Sequence, residues 1–234
     1  MCHTAVKCFN LRDRDVHLAT WLSHLHPILQ RQQLDYQIFV VEQADKLPFN
    51  RAALMNVGFL EASKISNFTC FIFHDVDMVP ETDRAIYRCP DHPAISHLAV
   101  AVSRGKYRLI YPGYCGGITA MSRDSVKQIH GFSNTFYGWG GEDDDLYNRL
   151  TAHNMSIERY PGNIARFKML KHDSVEENPN LKEMMEKSEG EKLLKEGLDT
   201  IKYKLKNITK LPLYTRIQVI LPIPPPNVSF QIYL

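Results

Sequence analysis

The chain has 234 residues, 44% of them hydrophobic and 23% charged, with a formal net charge of +2. That length suits one domain with a substantial core, and the near-neutral balance argues against nucleic-acid binding and against a disordered acidic tail. No apolar run approaches the ~20 residues that span a bilayer, and residues 1–15 lack the apolar core of a signal peptide.

In chain order, a first helix is expected over 15–33, where Leu18, Trp21, Leu22, Leu25 and Leu29 recur at helical spacing. Pro27 is expected to kink that helix or divide it in two. Residues 37–41 read as a short apolar strand. Asn50 suits the cap of a second helix in which Ala53, Val57 and Leu60 share a face. Residues 68–73 (FTCFIF) form a near-continuous apolar run, the pattern of a strand buried on both faces. A third strand is expected within 94–102 and a fourth near 118–121. Ser122 then caps a short helix reaching about His130, with Gly131 where a helix-ending glycine belongs. Another helix starts near Glu142. Residues 171–195 are rich in Lys and Glu and read as a mobile loop with a partly helical stretch. Residues 214–221 read as a last strand, and the proline run over 222–226 ends regular structure. The alternation of strand and helix argues for an α/β fold.

Four segments carry candidate chemistry. Asp75-Val76-Asp77 directly follows the buried strand. Ligands of open α/β sheets bind beyond the carboxyl ends of strands, and paired carboxylates there make a hard oxygen site for Mg²⁺ or Mn²⁺. The plainer alternative is a capped turn. Gly138-Trp139-Gly140-Gly141-Glu142-Asp143-Asp144-Asp145 is more specific. Glycines around one tryptophan make a mobile loop bearing a flat face that packs on a sugar ring. The four acids after it exceed what helix capping needs, and a glycosyl transfer needs a carboxylate to take the proton of the attacking hydroxyl. Met169-Leu170-Lys171-His172 offers an imidazole, although a thioether alone would not be nominated for a hard metal. Arg51, in the first turn behind Asn50, can meet a phosphate or lie solvated on the helix.

The five cysteines and the sequons starting at Asn67, Asn154, Asn207 and Asn227 favour a lumenal domain. The absence of a leader conflicts with that, so an upstream anchor is expected to be missing from this chain. Cys70 and Cys89 either close a loop across the D-V-D segment or remain free thiols.

Taken together, FNRAALMNVGF, FTCFIFHDVDMVPE, YCGGITAMS, GFSNTFYGWGGEDDDLYNRL and MLKH resemble the β-1,4-galactosyltransferases, in the family's order and over nearly the whole chain. The resemblance implies a GT-A fold: a single α/β domain with a Rossmann-like mixed sheet flanked by helices. It divides the chain into an altered N-terminal segment (1–15), a catalytic domain (16–221) and a Pro-rich tail (222–234). It implies Mn²⁺ on Asp77, Met169 and His172. Arg12, Arg14, Phe49, Arg51, Asp75 and Val76 would approach the nucleotide, and Trp139 would close over the donor. Glu142 would hold the donor sugar, Asp143 would act as base and Asp144 would bind the acceptor. A Cys70–Cys89 disulfide matches the family pattern. The implied reaction moves galactose from UDP-galactose to the 4-hydroxyl of a terminal N-acetylglucosamine with inversion, in the Golgi lumen, as part of a type II membrane protein. Tyr114, before C-G-G, implies galactose over N-acetylgalactosamine as donor sugar.

The sequence departs from the family at its start. The first strand reads as short and interrupted by Lys7, and the proline of the family's P-F-R-N-R segment is missing. One alternative follows from this, a non-catalytic nucleotide or sugar binder; a second, a UDP-N-acetylgalactosamine donor, follows from Cys115, which stands where an aromatic is usual. A metal-dependent phosphohydrolase built on Asp75 and Asp77 is a third reading, but it leaves the Trp139 loop unexplained.

Overall fold

A computed structural model describes residues 3–9, 14–171, 181–182 and 195–224, with Thr4 alone described as a side chain before residue 14. The strands are β1 (His3–Phe9), β2 (Asp35–Gln43), β3 (Cys70–Asp75), β4 (Met78–Pro80), β5 (Ala94–His97), β6 (Ala101–Val102), β7 (Ile118–Ser122), β8 (Ser156–Arg159), β9 (Arg166–Met169), β10 (Lys204–Lys210) and β11 (Thr215–Ile220). The helices are α1 (Asp15–Arg31), α2 (Arg51–Ile65), α3 (Arg123–Gln128) and α4 (Glu142–Ala152). Among the described residues the strands form one eight-stranded sheet, ordered β10-β11-β2-β1-β3-β7-β5-β8, and a small sheet ordered β4-β9-β6. The large sheet is mixed: β11, β2, β1 and β3 run parallel, while β7 runs antiparallel to β3 and β5.

β1 lies at the centre of the large sheet. It pairs with β2 from His3↔Asp35 to Phe9↔Val41 and with β3 from Thr4↔Cys70 to Phe9↔Asp75. Lys7 therefore does not interrupt the strand: its backbone pairs Phe39 on one side and Phe73 on the other. The two ladders supply hydrogen bonds that the short apolar run did not advertise.

The sheet divides the core in two. On one face α2 is buried nearly all round, from Ala52 to Phe59, against Phe39, Phe71 and Phe73. The expected single face through Ala53, Val57 and Leu60 is therefore replaced by a helix covered on most sides. On the other face α1 buries Trp21, Leu25 and Leu29 against Val40, Ile72 and Ile118. α1 runs through Pro27 undivided. A proline inside a helix costs about 3 kcal/mol, and the packing of its neighbours Leu25, Ile28 and Leu29 outweighs that.

Local signals hold where caps decide. Asn50 accepts the Ala53 N–H at 2.9 Å, and Ser122 accepts the Ser125 N–H at 3.0 Å. α3 stops at Gln128, with the Gly131 N–H on the Val126 carbonyl at 2.8 Å. The strand expected within 94–102 is β5, and a second short strand, β6, follows it in the other sheet. β8, β9 and the edge strand β10 were not expected, and the 171–195 loop lies mostly outside the described residues. Cys70 and Cys89 form a disulfide across 19 positions, closing the loop that carries His74-Asp75-Val76-Asp77. Asn67, Asn154 and Asn207 are exposed, and Asn227 lies outside the described residues.

The last acid of the WGGEDDD run faces the core. Asp145 Oδ2 accepts Arg149 Nε at 2.7 Å, and Arg149 also binds Glu196 Oε1 at 2.9 Å and the Glu196 carbonyl at 3.0 Å. Both Asp145 and Arg149 are fully buried. Removing one partner of such a pair strands the other charge and costs about 3–5 kcal/mol. Arg149→Met is expected to lose stability of that order in urea unfolding. A loss below about 1 kcal/mol would show that the pair is not what anchors α4.

Candidate active site

The carboxyl end of β3, the start of α4 and the turn before β7 meet around a cleft of about 560 Å³. Each wall follows from local sequence. β3 ends at Asp75, so Asp75-Val76-Asp77 leaves the sheet at the cleft floor. Gly138, Gly140 and Gly141 all have positive φ and turn the chain into α4, leaving Trp139 about half exposed over the opening. At Gly141 the cost of any side chain is direct: φ is 89°, and an added methyl would lie 2.5 Å from Leu181 Cδ1 and 2.7 Å from Phe136 Cε1. Leu181 also lines the cleft, and its side chain lies against Gly140 and Gly141 of the Trp139 loop.

Arg51 joins the two acidic walls. Its Nε donates to Asp75 Oδ1 at 2.7 Å and its Nη1 to Glu142 Oε1 at 3.4 Å. Burial works against the guanidinium charge, but Asp75 and Glu142 outweigh it and hold Arg51 protonated. Burial pushes the Asp75 carboxyl up to about 6, against the pull of Arg51. Behind Asp75, the His74 ring takes the Trp21 indole N–H at 3.0 Å and contacts Tyr87 Oη at 3.0 Å and the Asp75 carbonyl at 2.8 Å. Burial lowers His74 to about 3 and keeps it neutral.

Asp143 faces the turn before β7. Burial first, and then the neighbouring Glu142 and Asp144 charges, push its carboxyl up to about 7. A methyl added at Gly116 would lie 2.7 Å from Asp143 Oδ2 and 2.9 Å from Tyr114 Oη. Gly116 is thus the space that lets the carboxylate and the tyrosine converge. Asp144 accepts Tyr111 Oη–H at 2.6 Å. Cys115 is buried, and its thiol donates to the Asp143 carbonyl at 3.3 Å.

On the remaining wall, Leu170 N donates to the Asp77 carbonyl at 2.7 Å, and β4 pairs with β9 at Met78↔Met169. Asp77 and Met169 both line the cleft. His172 and Arg12 lie outside the described residues. Among the described residues no cluster of three or more His, Cys, Asp or Glu could hold a metal ion. Arg14, Val76 and Tyr114 line the cleft. Phe49 does not: its ring packs on the core, and its carbonyl takes the Gly138 N–H at 2.7 Å, tying the Trp139 loop to α2. Tyr111, Arg104 and Arg108 also line the cleft and were not expected.

The profile described as the N-terminal region of glycosyl transferase group 7 matches residues 2–90, and that described as the N-terminal domain of galactosyltransferase matches residues 96–173. Human β-1,4-galactosyltransferase 4 is 46% identical over 216 residues, which cover 89% of this chain and 60% of that protein. Human β-1,4-galactosyltransferase 1 is 42% identical over 220 residues, covering 93% of this chain and 54% of that protein. The chain belongs to the β-1,4-galactosyltransferase family. It spans only 54–60% of the length of these two relatives. Among solved structures, a Drosophila β-1,4-galactosyltransferase 7 mutant in complex with manganese, UDP-Gal and xylobiose matches with a TM-score of 0.81 at 29% identity, covering 94% of each chain. A Pyrobaculum calidifontis mannosyltransferase, 11% identical with a TM-score of 0.51 over 71% of this chain and 56% of its own, shares the fold alone. The fold is thus GT-A, as the resemblance implied, and the galactosyltransferase motifs converge on its cleft.

The raised Asp143 carboxyl has a consequence for stability. Its folded value near 7 exceeds the unfolded value near 4, so between those pH values the folded chain keeps a proton that the unfolded chain has lost. Stability therefore falls as pH rises through that window and levels off above it. Asp143→Asn is expected to raise the melting temperature of the ligand-free protein at pH 8 by about 3 °C, with the gain closing toward pH 4. An unchanged or lower melting temperature at pH 8 would contradict the buried, repelled state of this carboxylate.

Proposed function

We propose that this chain is the catalytic domain of an inverting β-1,4-galactosyltransferase that uses UDP-galactose and a terminal N-acetylglucosamine acceptor. The observation that carries the reading is Asp143: a partly buried carboxylate of raised pKa that meets the Tyr114 hydroxyl above Gly116, in the cleft that Trp139 also lines. A general base works best with a pKa near the operating pH, and a galactosyl acceptor hydroxyl needs such a base.

In this reading Asp143 takes the proton of the acceptor 4-hydroxyl. That oxygen attacks the anomeric carbon from the face opposite the diphosphate, the bond to UDP breaks, and the product is the β-linked disaccharide. Glu142 orients the donor sugar from its place on Arg51. Asp144, with Tyr111, receives the acceptor. Arg51 and Arg14 offer positive charge toward the nucleotide side, where Asp75 and Val76 line the floor. Trp139 and Leu181 cover the opening and keep water, a competing acceptor, from the reacting carbon. The Tyr114 hydroxyl, beside Asp143, occupies room that an N-acetyl group on the donor would need, which favours galactose.

Asp77 offers a hard oxygen and Met169 a soft sulfur at one corner of the cleft, with Asp75 engaged by Arg51. Of the two, the Asp77 carboxylate suits a hard ion such as Mn²⁺, whereas the thioether by itself does not. Asp77 and Met169, with His172, would hold Mn²⁺, which when bound supplies neutralising charge for the departing diphosphate. The exposed sequons and the Cys70–Cys89 disulfide suit the Golgi lumen.

Purified protein is expected to release UDP from UDP-galactose only when N-acetylglucosamine and Mn²⁺ are both present. Chelation should abolish the rate and Mn²⁺ should restore it. Below pH about 7 the value of kcat/KM should fall about tenfold per pH unit as Asp143 takes up a proton. Faster transfer from UDP-N-acetylgalactosamine would overturn the donor assignment. Saturable UDP binding without turnover would leave a binding protein.

A further inference from the structure

His97 and Arg159 are 62 positions apart in sequence, yet the parallel register of β5 and β8 sets them side by side. His97 is completely buried. Arg159 Nε donates to His97 Nδ1 at 3.2 Å, so Nδ1 is the acceptor and the ring proton sits on Nε2. That Nε2–H donates to the Gly116 carbonyl at 3.0 Å. The other arm of Arg159, Nη2, donates to the Tyr114 and Pro112 carbonyls, each at 2.8 Å. The His97 ring also meets the Tyr114 ring edge-on, with centroids 5.4 Å apart. One imidazole and one guanidinium therefore hold three carbonyls of the Pro112–Gly116 turn and one face of its aromatic ring.

Neither side chain lines the cleft, but what they hold does. The Tyr114 hydroxyl and Asp143 Oδ2 both close on the same point above Gly116. A shift of this turn by a few tenths of an ångström moves the tyrosine against the sugar and changes the room left for the base. Burial and the Arg159 charge lower His97 to about 4, so the ring stays neutral in a single tautomer across the working range.

We propose that His97 and Arg159 are positioning residues for the sugar subsite, fixing Tyr114 and Gly116 so that donor selection and the placement of Asp143 are set together. This rests on the galactosyl-transfer reading of the cleft. The pair acts on the sugar end of the donor and not on the nucleotide end, which Arg51, Asp75 and Val76 line.

The test compares His97→Gln, which keeps a donor and an acceptor, with His97→Leu, which keeps neither, and with Arg159→Met. Each variant is measured for melting temperature, for UDP affinity and for turnover of both donors. The ¹⁹F resonance of Tyr114 is followed in fluorotyrosine-labelled protein and assigned by its loss in Tyr114→Phe. His97→Leu and Arg159→Met are expected to lower kcat on the order of 10- to 100-fold. They should also narrow the preference for galactose and move the Tyr114 resonance, while UDP affinity stays within about twofold. His97→Gln should recover most of each effect. Loss of activity only in proportion to lost folded protein, with the donor ratio unchanged, would overturn the proposal. So would a Gln variant no better than Leu, or a Tyr114 resonance that does not move. If the wild type turns over neither donor, the transfer reading fails by itself, and the resonance still decides whether the pair positions Tyr114.

Discussion

Arg51 lies between Asp75 and Glu142, and the arrangement of the cleft depends on that buried cation. Asp75 belongs to the end of β3 and Glu142 to the start of α4, two segments joined only through the rest of the fold. Asp75, Asp77, Glu142, Asp143 and Asp144 all line one cavity, and carboxylates so close in a poorly solvated space repel one another. One guanidinium with partners in both walls draws them together. Asn50 fixes the place of Arg51 by capping α2, and Gln43 and Asn134 in turn hold Asn50 by its backbone N–H and its side-chain amide. The chain of dependence runs from a helix cap to a cation to the spacing of the two acidic segments.

The compensation is incomplete, and the remainder is useful. Arg51 meets Asp75 and Glu142 directly, while Asp143 keeps a raised carboxyl beside two like charges. The fold carries a destabilising group at the place where the proposed reaction needs a base of near-neutral pKa. Stability is recovered elsewhere: Asp145 pairs with Arg149 in the core, and the Cys70–Cys89 disulfide constrains the loop bearing the D-V-D segment. Four adjacent acids thus divide between a cation bridge, a strained carboxylate, a tyrosine partner and a core ion pair, because successive side chains on a helix point about 100° apart.

Much of the cleft was legible in the sequence because its signals are local. D-V-D follows an apolar run and W-G-G-E-D-D-D opens a helix, so both were read with their chemistry attached. Residues that become neighbours only through the tertiary fold were not. His97 and Arg159 meet across β5 and β8, and Tyr111 meets Asp144 across 33 positions. β10 was missed because Lys204–Lys210 is almost wholly exposed as an edge strand and so lacks apolar alternation. A strand within 94–102 was legible, but the sequence does not show that the chain leaves one sheet after His97 and joins another at Ala101. Asp145 was grouped with its acidic neighbours, although its i,i+4 relation to Arg149 could have separated it.

The central claim is that Asp143 activates the acceptor for a single displacement on galactose. It is tested most directly by the anomeric configuration and linkage of the product, read by NMR after incubation with UDP-galactose, N-acetylglucosamine and Mn²⁺. The account predicts a β-1,4-linked disaccharide from the wild type and none from Asp143→Asn. An α-linked product, or an undiminished yield from the variant, would contradict it.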